Sequence, residues 1–219
     1  MKIILYFLQY IFIKLFFLIC KIIGFKKASN FGKFVGEKIG PIFKSKAIIK
    51  KNINLILPNT SQENIDIITK KMWGNYGRIL SEYVFLEGFR KGSLEKYLNI
   101  TGLEYLNEIK KKNIPVVFIS GHFNNFELMA MQIEKSGLEL GAIYRPLNNF
   151  FLNSTMENIR KKFICRNQIK KGLSGIREIL NLFKKNISIA LMIDQRVTEG
   201  IKSTFFKKEA FTTTIPAQL

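Results

Sequence analysis

Residues 115–127 read PVVFISGHFNNFE, and the rest of the chain can be read outward from them. Pro115 to Ile119 is a short continuous apolar run, the pattern of a parallel strand buried on both faces. Ser120 and Gly121 end the run, His122 follows, and a helical pattern occupies Asn124 to Ser136. The theme then repeats, with strands expected at 140–144 and 187–193 and helices at 149–163 and 172–185. Strands alternating with helices give βαβ units and a parallel sheet, whose ligands sit beyond the carboxyl ends of the strands.

His122 is the only histidine among 219 residues, and it stands at such a strand end. Glu127 lies five residues later. Within one helix that spacing turns through about 500°, so the two side chains would diverge. They meet only if His122 sits in the loop ahead of the helix and folds back on Glu127. A carboxylate there would fix the imidazole tautomer and stabilise the imidazolium, making His122 a competent general base. The chain has no G-x-S-x-G elbow and no G-x-x-x-x-G-K-[ST] loop, which argues against a serine hydrolase and an NTPase. A base without a protein nucleophile points to direct activation of a substrate hydroxyl or water.

Upstream the chain is helical. Residues 3–23, IILYFLQYIFIKLFFLICKII, are long and apolar enough to cross a bilayer. Lys14 and Lys21 are seven apart and share a face, which equally permits a helix lying in the membrane surface. Lys14 and the lack of a small-residue cleavage site argue against a cleaved signal peptide. Lys26, Lys27, Lys33 and Lys38 would hold the following segment in the cytoplasm. Residues 31–57 read as one or two short helices. Thr60 and Glu63 form a T-x-x-E capping box opening a long helix to about Phe89, whose Met72, Trp73 and Tyr76 are expected in its core. The expected organisation is an anchor at 1–25, a helical region at 26–101 and an α/β core at 102–219.

Composition narrows the function classes. Hydrophobic residues make up 47% and aromatics 13%, which excludes a disordered chain. Lys+Arg 35 against Asp+Glu 16 gives +19, suggesting anionic partners such as phospholipid. The excess is mostly lysine, and the phenylalanines lie inside apolar runs, unlike the exposed basic–aromatic surfaces of nucleic-acid readers, so no nucleic-acid partner is expected. Cys20 and Cys165 stand alone, so neither a disulfide framework nor a metal site is expected.

The H-x4-E pair is joined by AIYRPLNN at 142–149, by Asp194-Gln195, by Gly200, Phe205 and Phe206, and by AFTTT at 210–214. In order and spacing these blocks resemble the bacterial late acyltransferases of lipid A biosynthesis, the lauroyl and myristoyl transferases of the lysophospholipid acyltransferase superfamily. That resemblance implies transfer of a fatty acyl chain from acyl-carrier protein to a hydroxyl of a glycolipid precursor at the cytoplasmic face of the inner membrane, with no other cofactor. It implies that His122 is the base and Glu127 its partner, that Arg145 binds an oxyanion or phosphate, and that Asp194 and Gln195 shape the site. Asn125 is a candidate substrate contact that could instead cap the helix, and Lys170, Lys171, Lys207 and Lys208 read as solvated charge. Acceptors such as a lysophospholipid, a mannosylated lipid or an ornithine-type lipid fit the same residues, and a non-catalytic membrane-binding fragment is the remaining alternative.

Two departures from the family pattern stand out. Arg196-Val-Thr-Glu199 precedes Gly200 where an aromatic or acidic residue and glycine are usual. The family's strands and helices also continue past the point where this chain ends, which raises the expectation of a C-terminally truncated sheet.

Overall fold

The computed structural model describes every residue except Arg196, Thr198 and Glu199, together with the side chain of Leu173, so most of the 196–199 departure lies outside the described residues. In chain order the helices and strands are α1 (Lys2–Ile23), α2 (Phe25–Ile39), α3 (Lys46–Ile56), α4 (Gln62–Glu82), α5 (Leu86–Arg90), α6 (Leu103–Lys112), β1 (Val117–Ser120), α7 (Glu127–Lys135), β2 (Leu140–Tyr144), α8 (Phe150–Phe163), β3 (Asn167–Lys170), α9 (Leu173–Lys184), β4 (Ser188–Met192), β5 (Ile201–Phe205), β6 (Lys208–Thr212) and α10 (Ile215–Gln218). The fold is α/β, as expected, and forms two compact units: Ile11–Phe85, and Met1–Tyr10 with Leu86–Leu219.

The first unit is helical, and glycine sets its geometry. Ala28, Gly32, Gly36 and Gly40 recur every four residues along one face of α2 and the turn after it, opposite Trp73, Gly74 and Gly77 of α4. A Cβ on Gly32 would strike the Gly77 carbonyl, and one on Gly77 the Gly32 carbonyl. The two backbones therefore touch. A polar clamp closes one end, where Arg78 Nη1 donates to Ser29 Oγ (2.8 Å) and Ser29 Oγ donates to Glu82 Oε1 (2.8 Å). The cap of α4 differs from the capping-box expectation. Ser61, not Thr60, accepts from the Asn64 amide (3.3 Å), while the Thr60 hydroxyl donates back to the Leu57 carbonyl (2.6 Å).

The second unit carries a four-stranded sheet in the order β1-β4-β2-β3, every pair parallel. β4 is buried along nearly its whole length, as its continuous apolar run demands. Ile169, Ile179, Ile189 and Leu191 form a buried cluster, with Val117, Ile143, Leu182 and Phe183 packed around it. Each such side chain contributes about 1.5–3 kcal/mol on burial.

Two elements were not legible in the sequence. β3, Asn-Gln-Ile-Lys, has one apolar residue and sits at the sheet edge. β5 and β6 form an antiparallel hairpin whose turn residues, Phe206 (φ 49°) and Lys207 (φ 60°), are both left-handed. That is the backbone of a type I′ turn without the Asn-Gly that normally announces one.

Candidate functional site

The site is built by sheet register. Parallel pairing of β1 with β4 puts Ser120 opposite Met192, and the Ile193 amide still donates to the Ser120 carbonyl (3.0 Å). Two residues beyond each partner stand His122 and Asp194. Their meeting is thus a continuation of the ladder, although 72 residues separate them. The Asp194 carboxylate grips His122 twice: Oδ2 accepts the backbone N–H (2.6 Å) and Oδ1 lies 2.7 Å from ring Nδ1. A carboxylate only accepts, so Nδ1 carries the proton, and in the neutral ring Nε2 keeps its lone pair.

Gly121 makes this approach feasible, since a Cβ there would lie 3.1 Å from Asp194 Oδ2 and 2.9 Å from the Phe123 ring. The turn continues through Asn124 in the left-handed region (φ 44°), which Asn tolerates better than most residues. Phe126 sets its ring edge-on to the imidazole, with centroids 4.7 Å apart. The Gln195 amide nitrogen lies 3.1 Å from Nε2. Burial alone would raise the pKa of Asp194, but the backbone and ring hydrogen bonds from His122 outweigh it and hold the carboxyl below the usual carboxylate range.

His122 does stand in the loop ahead of α7, as the spacing argument requires, and Glu127 opens that helix. The carboxylate on its ring, however, is Asp194. Glu127 is buried, and its Oε1 accepts from Arg160 of α8 at Nε (2.8 Å) and Nη2 (2.6 Å). The roles expected of the two acids are thus redistributed: Asp194 holds the imidazole, and Glu127 anchors a guanidinium. Local spacing favoured the acid five residues away because sheet order, which brings residue 194 alongside, is not written in any local pattern.

His122, Glu127, Arg145 and Gln195 line one cleft of about 280 Å³ at the carboxyl ends of the strands. Asp194 lies behind the imidazole and is not among the lining residues. Asn125 is not among the lining residues either; its backbone carbonyl accepts from the Leu128 amide in the turn leading into α7. Arg145, exposed at the end of β2, takes part in no ion pair among the described residues.

The structure adds residues to which the sequence assigned no place in the site. Arg160 and Lys171 also line the cleft, so among the described residues three cations line it with Glu127. Lys171, expected to be solvated, extends the β2–β3 pairing through its amide bond to the Tyr144 carbonyl (2.9 Å). Tyr144 donates its hydroxyl to Glu157 Oε2 (2.8 Å), and burial with this bond pushes the phenol up to about 12. The floor of the cleft is apolar, with Ala190, Leu191 and Met192 of β4 and Ile164 beside them. A base, an anion-binding rim and an apolar floor together suit an acidic amphiphile.

The family model described as bacterial lipid A biosynthesis acyltransferase matches residues 1–219. The chain belongs to that family. Among curated relatives, it is 26% identical over 174 residues to the lipid A biosynthesis palmitoleoyltransferase of Escherichia coli K12, covering 74% of this chain and 53% of that protein. It is 21% identical over 135 residues to the lipid A biosynthesis myristoyltransferase of the same organism, covering 62% of this chain and 41% of the relative. A lipid A biosynthesis acyltransferase of Shigella flexneri matches at 26% over 174 residues. The chain thus spans about half the length of the curated relatives it matches.

Proposed function

We propose that this chain carries the acyl-transfer centre of a membrane-associated lipid A acyltransferase. It would move a fatty acyl group from an acyl-carrier-protein thioester to a hydroxyl of a glycolipid precursor, at the cytoplasmic face of the inner membrane. The observation that supports this most is the geometry of His122: Nδ1 held by Asp194 at 2.7 Å, with the ring lining a cationic cleft.

In the proposed reaction the acceptor hydroxyl takes the place of the Gln195 amide at Nε2. The imidazole removes its proton as the oxygen attacks the thioester carbonyl, and the charge moves to the carbonyl oxygen. Arg145 stabilises that oxyanion or holds a phosphate of the glycolipid. Collapse breaks the carbon–sulfur bond, and the leaving thiolate recovers the proton from the imidazolium, giving an ester and the free carrier thiol. Asp194 acts only through the ring, as a positioning residue, and Glu127 through Arg160.

The test uses the full chain in detergent with an acyl-carrier-protein thioester and a glycolipid acceptor, following free thiol and acylated product together. The parent is expected to form both in equal amounts, and His122→Ala to lose roughly 10²–10⁴-fold in rate. Equal rates for parent and variant would contradict the mechanism. Lipid mass spectrometry of a strain lacking the protein, read for the species that loses one acyl chain, identifies the acceptor.

A further inference from the structure

Helix α1 has a packed face and a wide exposed apolar one, to which Leu5, Phe12 and Leu18 also belong. Its packed face carries Tyr6 and Tyr10 in the first half and the buried Phe16, Phe17 and Cys20 in the second. On the opposite side, at helical spacing, Ile4, Leu8, Leu15, Ile19 and Ile22 are exposed, Ile4 at 67% and Ile22 at 76%. Lys14 and Lys21 fall together on the border between these faces, about 100° from Leu15 and Ile22 respectively.

The first half of the helix is fixed to the rim of the cleft. Asn149 donates from Nδ2 to the Tyr6 carbonyl (2.9 Å) and to Gln9 Oε1 (3.1 Å), while its Oδ1 caps α8 by accepting from the Leu152 amide (3.3 Å). Phe151 receives the rings of Phe7 and Tyr10, with centroids 5.6 and 5.9 Å apart. The same loop supplies Arg145 and Leu147 to the cleft wall.

Hydropathy and length alone would let α1 cross a bilayer, which needs about 20 apolar residues. A crossing helix, however, would sink Tyr6 to Tyr10 about 6–12 Å below its start at 1.5 Å per residue. That would drag a buried, hydrogen-bonded asparagine and a cationic loop into hydrocarbon. It would also set Lys14 near the bilayer centre, the costliest depth for an ammonium group. Lying flat removes both conflicts: the apolar face enters the acyl region and the two lysines reach sideways to phosphates.

We propose that α1 lies in the plane of an anionic lipid surface, with Ile4, Leu8, Leu15, Ile19 and Ile22 immersed, and does not span the bilayer. This rests on reading the chain as membrane-associated. Its consequence is that the cleft opens at lipid level, within reach of an acceptor that never leaves the membrane.

The experiment places single cysteines at the two ends of the helix, Lys2→Cys and Lys27→Cys, in the full chain. The native Cys20 and Cys165 are buried, and the parent chain measures their background. A membrane-impermeant maleimide is applied to intact spheroplasts and to inverted inner-membrane vesicles. Both variants are expected to label in inverted vesicles and to stay near background in spheroplasts. Labelling of the two ends from opposite faces would overturn the proposal. Recovery of the chain in the soluble fraction would instead overturn the membrane reading beneath it. As a second measurement, a bimane on Leu15→Cys should be quenched by bromines high on the acyl chain; quenching by bromines at the chain ends alone would contradict a flat helix.

Discussion

In the helical unit two helices meet backbone against backbone, Gly32 on Gly77; at the cleft of the other unit the defining contacts are side chain against side chain, Asp194 on His122 and Arg160 on Glu127. The first is governed by volume, because the atoms nearest a Cβ on Gly77 are all backbone of Gly32 and Gly36, with no flexible side chain there to give way. The second is governed by charge and hydrogen bonding, because each partner is held by the other's polar atoms. The same kind of substitution should therefore act oppositely in the two regions: added bulk matters in one, and an altered polar group of unchanged size matters in the other.

The largest effect is expected at Glu127. Glu127→Gln keeps the volume but leaves the Arg160 charge poorly paired in a mostly buried setting, which should cost about 3–5 kcal/mol. Urea unfolding at constant m-value measures it; a loss below about 1 kcal/mol would mean that the pair is screened like a surface one. Asp194→Asn should leave unfolding nearly unchanged, since that side chain is 39% exposed, yet lower the transfer rate by about 10²-fold through misorientation of the base. The sharpest form of the comparison is this pair of variants, one failing in stability and the other in rate.

Gly77→Val in the helical unit should cost about 1–3 kcal/mol by overpacking, with Gly77→Ala already harmful because even a Cβ collides. A neutral Gly77→Ala would show that the two helices can move apart freely. A smaller effect is expected at the hairpin. Lys207→Gly relieves a left-handed non-glycine residue and should stabilise β5–β6 by a few tenths of a kcal/mol to about 1 kcal/mol, read as slower amide exchange across the hairpin.

Acidity separates the regions again. Asp194 has a folded pKa depressed below its unfolded value, so its grip on the loop is fully present above the ordinary carboxylate range. It is lost as pH falls through the lower folded value. Amide exchange at His122, whose N–H donates to Asp194, should stay protected through the ordinary carboxylate range and open only below it. The Gly32–Gly77 approach contains no titratable group and should show no such step.

This contrast also explains what could be read from the sequence. The long periodic helices, the strands β1, β2 and β4, and the position of His122 ahead of a helix follow from local patterns of apolarity and breaking residues, although β1, expected to be buried on both faces, is a half-buried edge strand with Ile119 54% exposed. The family blocks resemble what the whole-chain match then identified. The partner of His122 was not legible, because it depends on β4 lying beside β1 when two other strands could have taken that place. β3 was missed because a single isoleucine cannot signal a strand, and the hairpin because Phe206-Lys207 adopts a turn that its residue types disfavour. The every-fourth glycine spacing on α2 was present in the sequence; its meaning emerged only once α4 was seen against it.

Asp194, and not Glu127, holds the imidazole with its proton on Nδ1. Because His122 is the only histidine, ¹⁵N-labelled histidine gives a single imidazole to observe. At a pH where the ring is neutral, the parent should show a protonated Nδ1 and a bare Nε2. Asp194→Asn should shift the ring toward a mixture of tautomers, while Glu127→Gln, if folded, should leave it as in the parent. A spectrum indifferent to Asp194→Asn but altered by Glu127→Gln would contradict the account.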